Sequence, residues 1–135
     1  MIGACLCGRV TVETPGPPAF IHICNCDFCR KSGHAIGQFA IDAVKIRGIT
    51  TSYVREDMAD PWLTLNFCPV CGSATHTTGT LEHPTDVVRV NMRLFAQSDL
   101  TGTEVRYLDG HSVIDENDPF PLIATARYGA DGTVF

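Results

Sequence analysis

The sequence predicts a single all-β domain, and three observations support that class. Apolar and polar residues alternate with a period of two in several segments, which is the pattern of a half-buried strand. Gly and Pro turn signals separate these segments, and long stretches with the 3.6-residue period of helices are missing. A chain of 135 residues, of which 44% are hydrophobic, can form one domain with its own core. We therefore expect residues 1–135 to fold as one domain.

Three segments carry the strand pattern, and we take them in chain order. Val10 and Val12 alternate with polar neighbours in "RVTVE", and Phe39 and Ile41 alternate in "QFAID". The seven-residue segment 88–94, "VRVNMRL", has the clearest alternation in the chain. Each segment is expected to place its apolar side chains on one face of a sheet.

Helical structure is predicted at one place, and turn signals at several. The segment "CDFCRKS" favours a short helical turn, with Gly33 as the residue that ends it. Turns are expected where Gly and Pro interrupt the strand pattern. These signals are Pro15-Gly16-Pro17-Pro18, Gly48, Gly79, Asp109-Gly110 and Asp131-Gly132.

Composition and charge argue against two classes of protein. No run reaches the ~18 apolar residues of a membrane span, and "MIGACLCGRVTVE" lacks the basic start and apolar core of a signal peptide. A cytoplasmic location, where thiols stay reduced, is therefore expected. The formal charge is −5, and the longest cationic run is Arg30-Lys31. Nucleic-acid binding needs a concentrated basic face, so it is not expected.

The seven cysteines are the strongest functional signal in the sequence. They fall into the groups C-x-C, C-x-C-x-x-C and C-x-x-C. An odd number of cysteines in a reducing compartment argues against a disulfide framework. Short spacings bring sulfurs close enough to share one metal ion, and "FCPVCGS" is typical of a zinc knuckle whose tight reversal Gly72 permits. The alternative is that these are free buried cysteines, which behave as small hydrophobic residues.

Seven cysteine ligands divide most naturally into four and three. Two close pairs from distant parts of the chain make a closed structural zinc site, which would tie the N-terminal strand to the second half of the fold. The remaining three would hold a second ion with one position open, which is the catalytic arrangement. An iron–sulfur cluster is the competing metal interpretation. The first set is Cys5, Cys7, Cys68 and Cys71, and the second is Cys24, Cys26 and Cys29.

Three motifs, "GACLCGRV", "CNCDFCRKSG" and "FCPVCGS", resemble the zinc motifs of the glutathione-dependent formaldehyde-activating (GFA, centromere protein V-like) family. "RVNMRLF" and "YLDGHS" are similar to its later strand motifs. The resemblance implies a β-tent fold of small antiparallel sheets braced by zinc, with two zinc ions on the two cysteine sets. It also implies a carbon–sulfur lyase that joins glutathione to formaldehyde.

The three-cysteine set predicts a specific chemistry. Three thiolates around Zn²⁺ leave a local charge of about −1 and a position for one more ligand. A small thiol entering that position would lose its proton and become a nucleophile for a small aldehyde. Arg30 and Lys31 follow the last ligand and would either offset the anion or hold a substrate carboxylate. The alternative for both is a solvated pair of cations.

Other side chains are weaker candidates. His22 shares a strand face with Cys24, so it or His34 could close the second zinc site or move a proton; otherwise each is an ordinary histidine. Arg89 and Arg93 would project from one strand face and grip an anion, unless that face is solvated. The single tryptophan, in "ADPWLT", would either cover a pocket or pack in the core.

Two classes of function follow from the sequence. The first is a zinc-dependent carbon–sulfur lyase that adds a small thiol such as glutathione to a small aldehyde such as formaldehyde. The second is a zinc-stabilised binding module or thiol carrier without turnover. A second zinc that keeps an open position favours the enzyme, whereas a closed site favours the binding module.

Overall fold

The computed structural model describes residues 1–113, 119–129 and 134–135, and strands dominate it, which confirms the all-β class. Two short α-helices are described, α1 (Asp27–Ser32) and α2 (Gln97–Leu100). Two 3-10 turns cover Ile41–Ala43 and Met92–Leu94. The strands are Ile2–Ala4 (β1), Thr11–Glu13 (β2), Phe20–Cys24 (β3), Ile36–Ala40 (β4), Lys45–Arg47 (β5), Thr51–Val54 (β6), Leu63–Phe67 (β7), Ala74–Gly79 (β8), Val87–Asn91 (β9), Glu104–Leu108 (β10) and Leu122–Arg127 (β11).

The described strands form a small sheet and a large one. The small sheet has the order β1-β2-β5, and the large sheet has the order β11-β10-β3-β4-β9-β8-β7-β6. The pair β3–β10 is parallel, whereas the other described pairs are antiparallel. The eight-stranded sheet and its parallel pair differ from the small antiparallel sheets that the resemblance implied. A parallel pair needs a long connection, and here the chain from β3 to β10 passes through five other strands of the large sheet.

The core lies against the centre of the large sheet. Val88 and Val90 are buried, as the period-two pattern of their segment predicts, and Val12 is buried with them. Burying each such side chain contributes about 1.5–3 kcal/mol of transfer free energy. Val10 belongs instead to a second cluster with Cys5 and Cys68. Apolar burial therefore supports both the sheet and the surroundings of one cysteine set.

The predicted strand over residues 88–94 is too long, because the strand ends at Asn91. The Asn91 side chain accepts a hydrogen bond from the N–H of Arg93 at 3.3 Å, and this contact begins a 3-10 turn. Arg93 therefore leaves the strand face that Arg89 occupies. Ile41 also lies in a 3-10 turn and is exposed, so the second predicted strand ends at Ala40, two residues before the end of the predicted segment "QFAID".

Helix α1 forms where the sequence predicts a helical turn. Its final cap, Gly33, has φ = +69° and donates its N–H to the Cys29 carbonyl, a geometry that favours glycine. Gly48 also has a positive φ and lies between β5 and β6. Gly79 instead is the last residue of strand β8, and the predicted turn at Asp131-Gly132 lies outside the described residues.

In the described part of the chain, no helix has the length and apolar character to cross a membrane.

Candidate metal centre

The first cysteine set lies where the two sheets meet. Cys5 and Cys7 follow β1 of the small sheet, and Cys68 and Cys71 lie between β7 and β8 of the large sheet. Their four sulfur atoms all lie within 4.8 Å of one another. Cys68 is fully buried, whereas Cys7 is exposed. The set therefore connects two sheets through side chains separated by about sixty residues.

The sulfur distances of this set fit a tetrahedral zinc ion. Cys7 Sγ lies 3.6 Å from Cys5 Sγ and 3.7 Å from Cys68 Sγ. A tetrahedron with Zn–S bonds of ~2.3 Å has sulfur–sulfur edges of about 3.8 Å. A disulfide would need ~2.05 Å, so these are separate thiols placed around a common centre.

Both turns of the first set present hydrogen-bond donors to sulfur. The Val10 N–H donates to Cys5 Sγ at 3.2 Å, and the Ser73 hydroxyl lies 3.3 Å from Cys71 Sγ. Hydrogen bonds from the Ser73 hydroxyl and N–H lower the pKa of Cys71 to about 5. Gly72 has φ = +73°, so the reversal that the knuckle motif predicts is present. The thiolate form of Cys71 is thus stabilised before any ion arrives, whereas the pKa of Cys7 is raised to about 11.

The second set is built on one short, continuous piece of chain. Cys24 is the last residue of β3, Cys26 is the N-cap of α1, and Cys29 lies inside that helix. Their sulfurs lie within 4.8 Å of one another. Cys24 Sγ accepts the Cys26 N–H, and Cys26 Sγ accepts the Cys29 N–H, each at 3.5 Å. The start of the helix therefore turns its free N–H groups towards these sulfurs.

Three thiols this close cannot all ionise without a cation. Hydrogen bonds from Cys24 and Cys29 lower the pKa of Cys26 to about 2. Hydrogen bonds with Cys24 and Cys26, together with burial, raise the pKa of Cys29 far above its usual range. One thiolate shared among three sulfurs is the stable state of the bare set, whereas a divalent cation would allow all three to lose their protons. This donor set fits a soft, thiophilic ion such as zinc.

The three sulfurs open into a cavity of about 230 Å³. Trp62 forms part of its wall, so the single tryptophan covers a pocket instead of packing in the core. The described part of the wall is mainly apolar and aromatic and includes two arginines and one histidine. The described residues that line it are His22, Cys24, Cys26, Phe28, Cys29, Ile36, Gln38, Arg55, Met58, Pro61, Trp62, Leu63, Arg89, Leu108, Gly110, Val113 and Phe120.

The cations next to the last cysteine do not face the cavity. Arg30 and Lys31 each contact an oxygen of Asp27 at 2.8 Å, and both are exposed on α1. They therefore form the solvated pair that the sequence left open as an alternative. Arg93 is exposed and lies over the Phe135 ring, 5.2 Å from its centroid. Arg89, by contrast, lines the cavity, so the expectation that these two arginines share one face is wrong.

The two candidate histidines take different positions. His22 lines the cavity and stacks on Phe20, with ring centroids 4.6 Å apart. Burial lowers its pKa to about 4, and the charges of Arg106 and Arg89 act in the same direction. His34 is buried outside the cavity wall, with Nδ1 2.7 Å from the Ser32 hydroxyl. Neither ring joins the second set, whose clustered ligand atoms are three cysteine sulfurs.

Sequence reasoning missed the loop that holds Cys24 in place. Asn25 donates to Asp109 Oδ1 at 2.7 Å and accepts the His111 N–H at 2.8 Å, which fixes the chain after β10 against the second set. Gly110 packs so closely that a Cβ there would collide with Cys24 Sγ. In the sequence, this segment is marked by the Asp109-Gly110 turn and by the motif "YLDGHS", and neither identifies Asn25 or Cys24 as its partner.

Burial of His76 predicts a pH dependence of the unfolding free energy that does not involve either cysteine set. It is buried on β8, and burial lowers its pKa to about 4, against ~6.5 in an unfolded chain. Below pH ~6.5 His76 is protonated in the unfolded chain but stays neutral in the folded chain, so the free energy of unfolding falls as the pH falls. Between pH 7 and pH 5 this histidine should cost about 2 kcal/mol of unfolding free energy.

His76→Gln should remove that part of the acid sensitivity. Urea unfolding at pH 7 and pH 5 measures it as the change in unfolding free energy within each variant, which cancels any constant effect of the substitution. The acid loss that remains in His76→Gln would include His34, whose pKa is lowered to about 4 mainly by burial and further by the charge of His76. Equal losses in His76→Gln and the wild type would contradict the assignment.

Comparisons with known proteins agree with this geometry. Residues 1–107 match the family described as glutathione-dependent formaldehyde-activating enzyme. Among solved structures, the chain is similar to a Rhodobacter sphaeroides protein from a structural genomics programme, with a TM-score of 0.56 and 27% sequence identity. That match covers 70% of this chain and 87% of the other. A comparison with curated proteins returns no match.

Proposed function

Because this chain belongs to the glutathione-dependent formaldehyde-activating enzyme family, we propose that it joins a small thiol to a small aldehyde such as formaldehyde. The observation that carries the proposal is the cavity into which the sulfurs of Cys24, Cys26 and Cys29 open. A set of three cysteines beside a cavity has room for a fourth ligand from outside the protein. Glutathione is the first candidate thiol, since the family name specifies it.

We also propose that the chain binds two zinc ions. One is held by the four cysteines between the sheets and has a structural role. The other is held by Cys24, Cys26 and Cys29, where it would accept the sulfur of the substrate thiol and lower its pKa. Since all seven thiols must stay reduced for this, a cytoplasmic location follows from the proposal.

The reaction is an addition to a carbonyl. The thiol loses its proton, and a carbon–sulfur bond forms between its sulfur and the aldehyde carbon. The carbonyl electron pair moves to oxygen, which takes up a proton, so thiol and aldehyde together give one S-hydroxymethyl product. No oxidant or reductant is needed.

The apolar part of the cavity wall supports this addition. Phe28, Trp62, Leu63 and Phe120 supply apolar surface beside the three sulfurs. Formaldehyde is largely hydrated in water, so an apolar site, where water competes less, favours its reaction with sulfur. A lower local dielectric also strengthens the interaction between the cluster and the cations in the wall.

The test is the rate at which carbon-13-labelled formaldehyde exchanges into the S-hydroxymethyl adduct, measured by NMR exchange spectroscopy. The protein should accelerate the exchange with glutathione above the uncatalysed rate, and Cys26→Ser should abolish the acceleration. Arg30→Gln is the matched control, because Arg30 is exposed and paired with Asp27; its rate should equal that of the wild type. Acceleration that survives Cys26→Ser would place the chemistry elsewhere.

A non-catalytic thiol-binding module is the second candidate. Among the described residues of the cavity wall there is no Asp or Glu to act as a general base. In that case the protein would bind the thiol at the three-cysteine set and the exchange rate would stay at its uncatalysed value. We do not propose a nucleic-acid partner, since the chain carries a formal charge of −5.

A further inference from the structure

Arg89 is the most unusual charged residue in the cavity wall. It lies on β9 near the middle of the large sheet, opposite Gln38 of β4 and Thr77 of β8. Its Nη1 atom is buried and has no hydrogen-bond partner among the residues that the structure describes. Burial lowers the pKa of this guanidinium, and Cys29 acts in the opposite direction. A buried charge without a partner costs several kcal/mol unless something pairs with it.

The other arginines near the cavity already have partners. Arg55 contacts both oxygens of Asp57, at 2.9 Å from Nε and 2.6 Å from Nη2. Arg106 contacts Glu104 at 2.6 Å and covers the Phe20 ring. The described residues of the cavity wall include no carboxylate that could pair with Arg89. Its planar fork matches a carboxylate by two parallel hydrogen bonds.

We propose that Arg89 binds the carboxylate of the thiol that enters the cavity, so that the site selects thiols that carry a carboxylate. The proposal rests on the proposed function, because it needs a thiol at the three-cysteine set. Sulfur would be held at one wall of the cavity and the carboxylate at Arg89. The volume of about 230 Å³ is below the ~300–1,000 Å³ of pockets for drug-sized ligands, so the cavity would enclose only a compact part of the thiol, and the rest of a tripeptide such as glutathione would extend beyond it.

A different role for Arg89 makes different predictions. The guanidinium could act only as a counter-charge to the thiolates of the second set, since Cys29 is the group that favours its charged form. In that role it would support every thiol equally, with or without a carboxylate. The comparison that separates the two roles is therefore between ligands as well as between protein variants.

L-cysteine and cysteamine provide this comparison, because they differ only by the carboxylate. Calorimetric titration of the zinc-loaded protein should give roughly 10- to 100-fold tighter binding of L-cysteine, the range expected for a charged hydrogen-bonded pair. Arg89→Gln should weaken L-cysteine binding until the ratio is near one and leave cysteamine binding unchanged. Arg89→Lys keeps the charge but loses the fork, so its ratio should lie between these values.

Arg93→Gln is the control, since Arg93 is exposed outside the cavity wall; its ratio should match the wild type. Equal weakening of both ligands by Arg89→Gln would assign the counter-charge role and overturn the proposal. If Arg89→Gln does not fold, the wild-type ratio and Arg89→Lys still decide. Equal binding of the two ligands by the wild type would overturn the selectivity and leave the proposed function standing. If neither these ligands nor glutathione binds, both fall.

Discussion

Cys68→Ser should leave the chain unfolded at 25 °C, whereas Cys26→Ser should still fold. Cys68 is fully buried and lies in the set that joins the small sheet to the large sheet. Structural zinc contributes about 10–16 kcal/mol in peptide hosts, which equals or exceeds the ~5–15 kcal/mol by which most domains are stable. Loss of one ligand from this set should therefore lower the free energy of unfolding below zero.

Cys26→Ser removes a ligand from a set that lies within one short segment of the chain. All three cysteines of its set lie within six residues at the end of β3 and the start of α1. A metal ion there closes a short loop and holds no distant strands together, so its loss should lower the melting temperature only modestly. Serine can still cap α1, because its hydroxyl accepts the N–H that Cys26 accepts in the wild type.

Circular dichroism melts and native mass spectrometry measure both parts of this prediction. The wild type should bind two zinc ions per chain, Cys26→Ser should bind one, and Cys68→Ser should show no cooperative melt. Equally severe losses in the two variants would mean that both sets are structural. One zinc ion per wild-type chain, or stoichiometric iron, would contradict the division into four and three.

The cysteine sets were predictable because metal-ligand spacing is a local property of the sequence. Cys24, Cys26 and Cys29 are close in sequence and remain close in space for any turn that the chain makes there. The pairing of Cys5 with Cys68 needed one further step, the rule that a closed site takes two close pairs. The burial of Val88 and Val90 was equally local, since it followed from the period of two.

The cavity was not predictable in the same way. Trp62 comes from the connection before β7, Arg89 from β9 and Gly110 from the chain after β10. Only the strand order of the large sheet, with its parallel pair β3–β10, brings them to one place. Strand order depends on packing between distant segments, and the alternation of apolar and polar residues within one segment contains no information about that packing. For the same reason the sequence favoured Arg30, which directly follows Cys29, over Arg89 as a partner for the three-cysteine set.

Binding of a small thiol should change the spectrum of the cobalt-substituted protein. When Co²⁺ replaces the metal of the three-cysteine set, a fourth sulfur should increase the sulfur-to-cobalt charge-transfer absorption. Glutathione should produce this increase in the wild type, and Cys26→Ser should lose it entirely, because the second set no longer holds the ion. The matched reference is the four-cysteine set, whose own sulfur bands should not respond, since its coordination is already complete.

The pH dependence of this spectral change tests whether sulfur itself binds. A thiol must lose its proton to bind the metal, so its apparent affinity should rise with pH up to the pKa of the free thiol, ~8.5, and then level off. Below that pKa the affinity should change about tenfold for each pH unit, since one proton is released for each thiol bound. Affinity that is flat between pH 6.5 and pH 8 would mean that binding does not release the thiol proton, and would contradict binding as a thiolate. If no thiol changes the spectrum while Cys68→Ser still prevents folding, the lyase proposal fails, and the domain is a zinc-braced binding module.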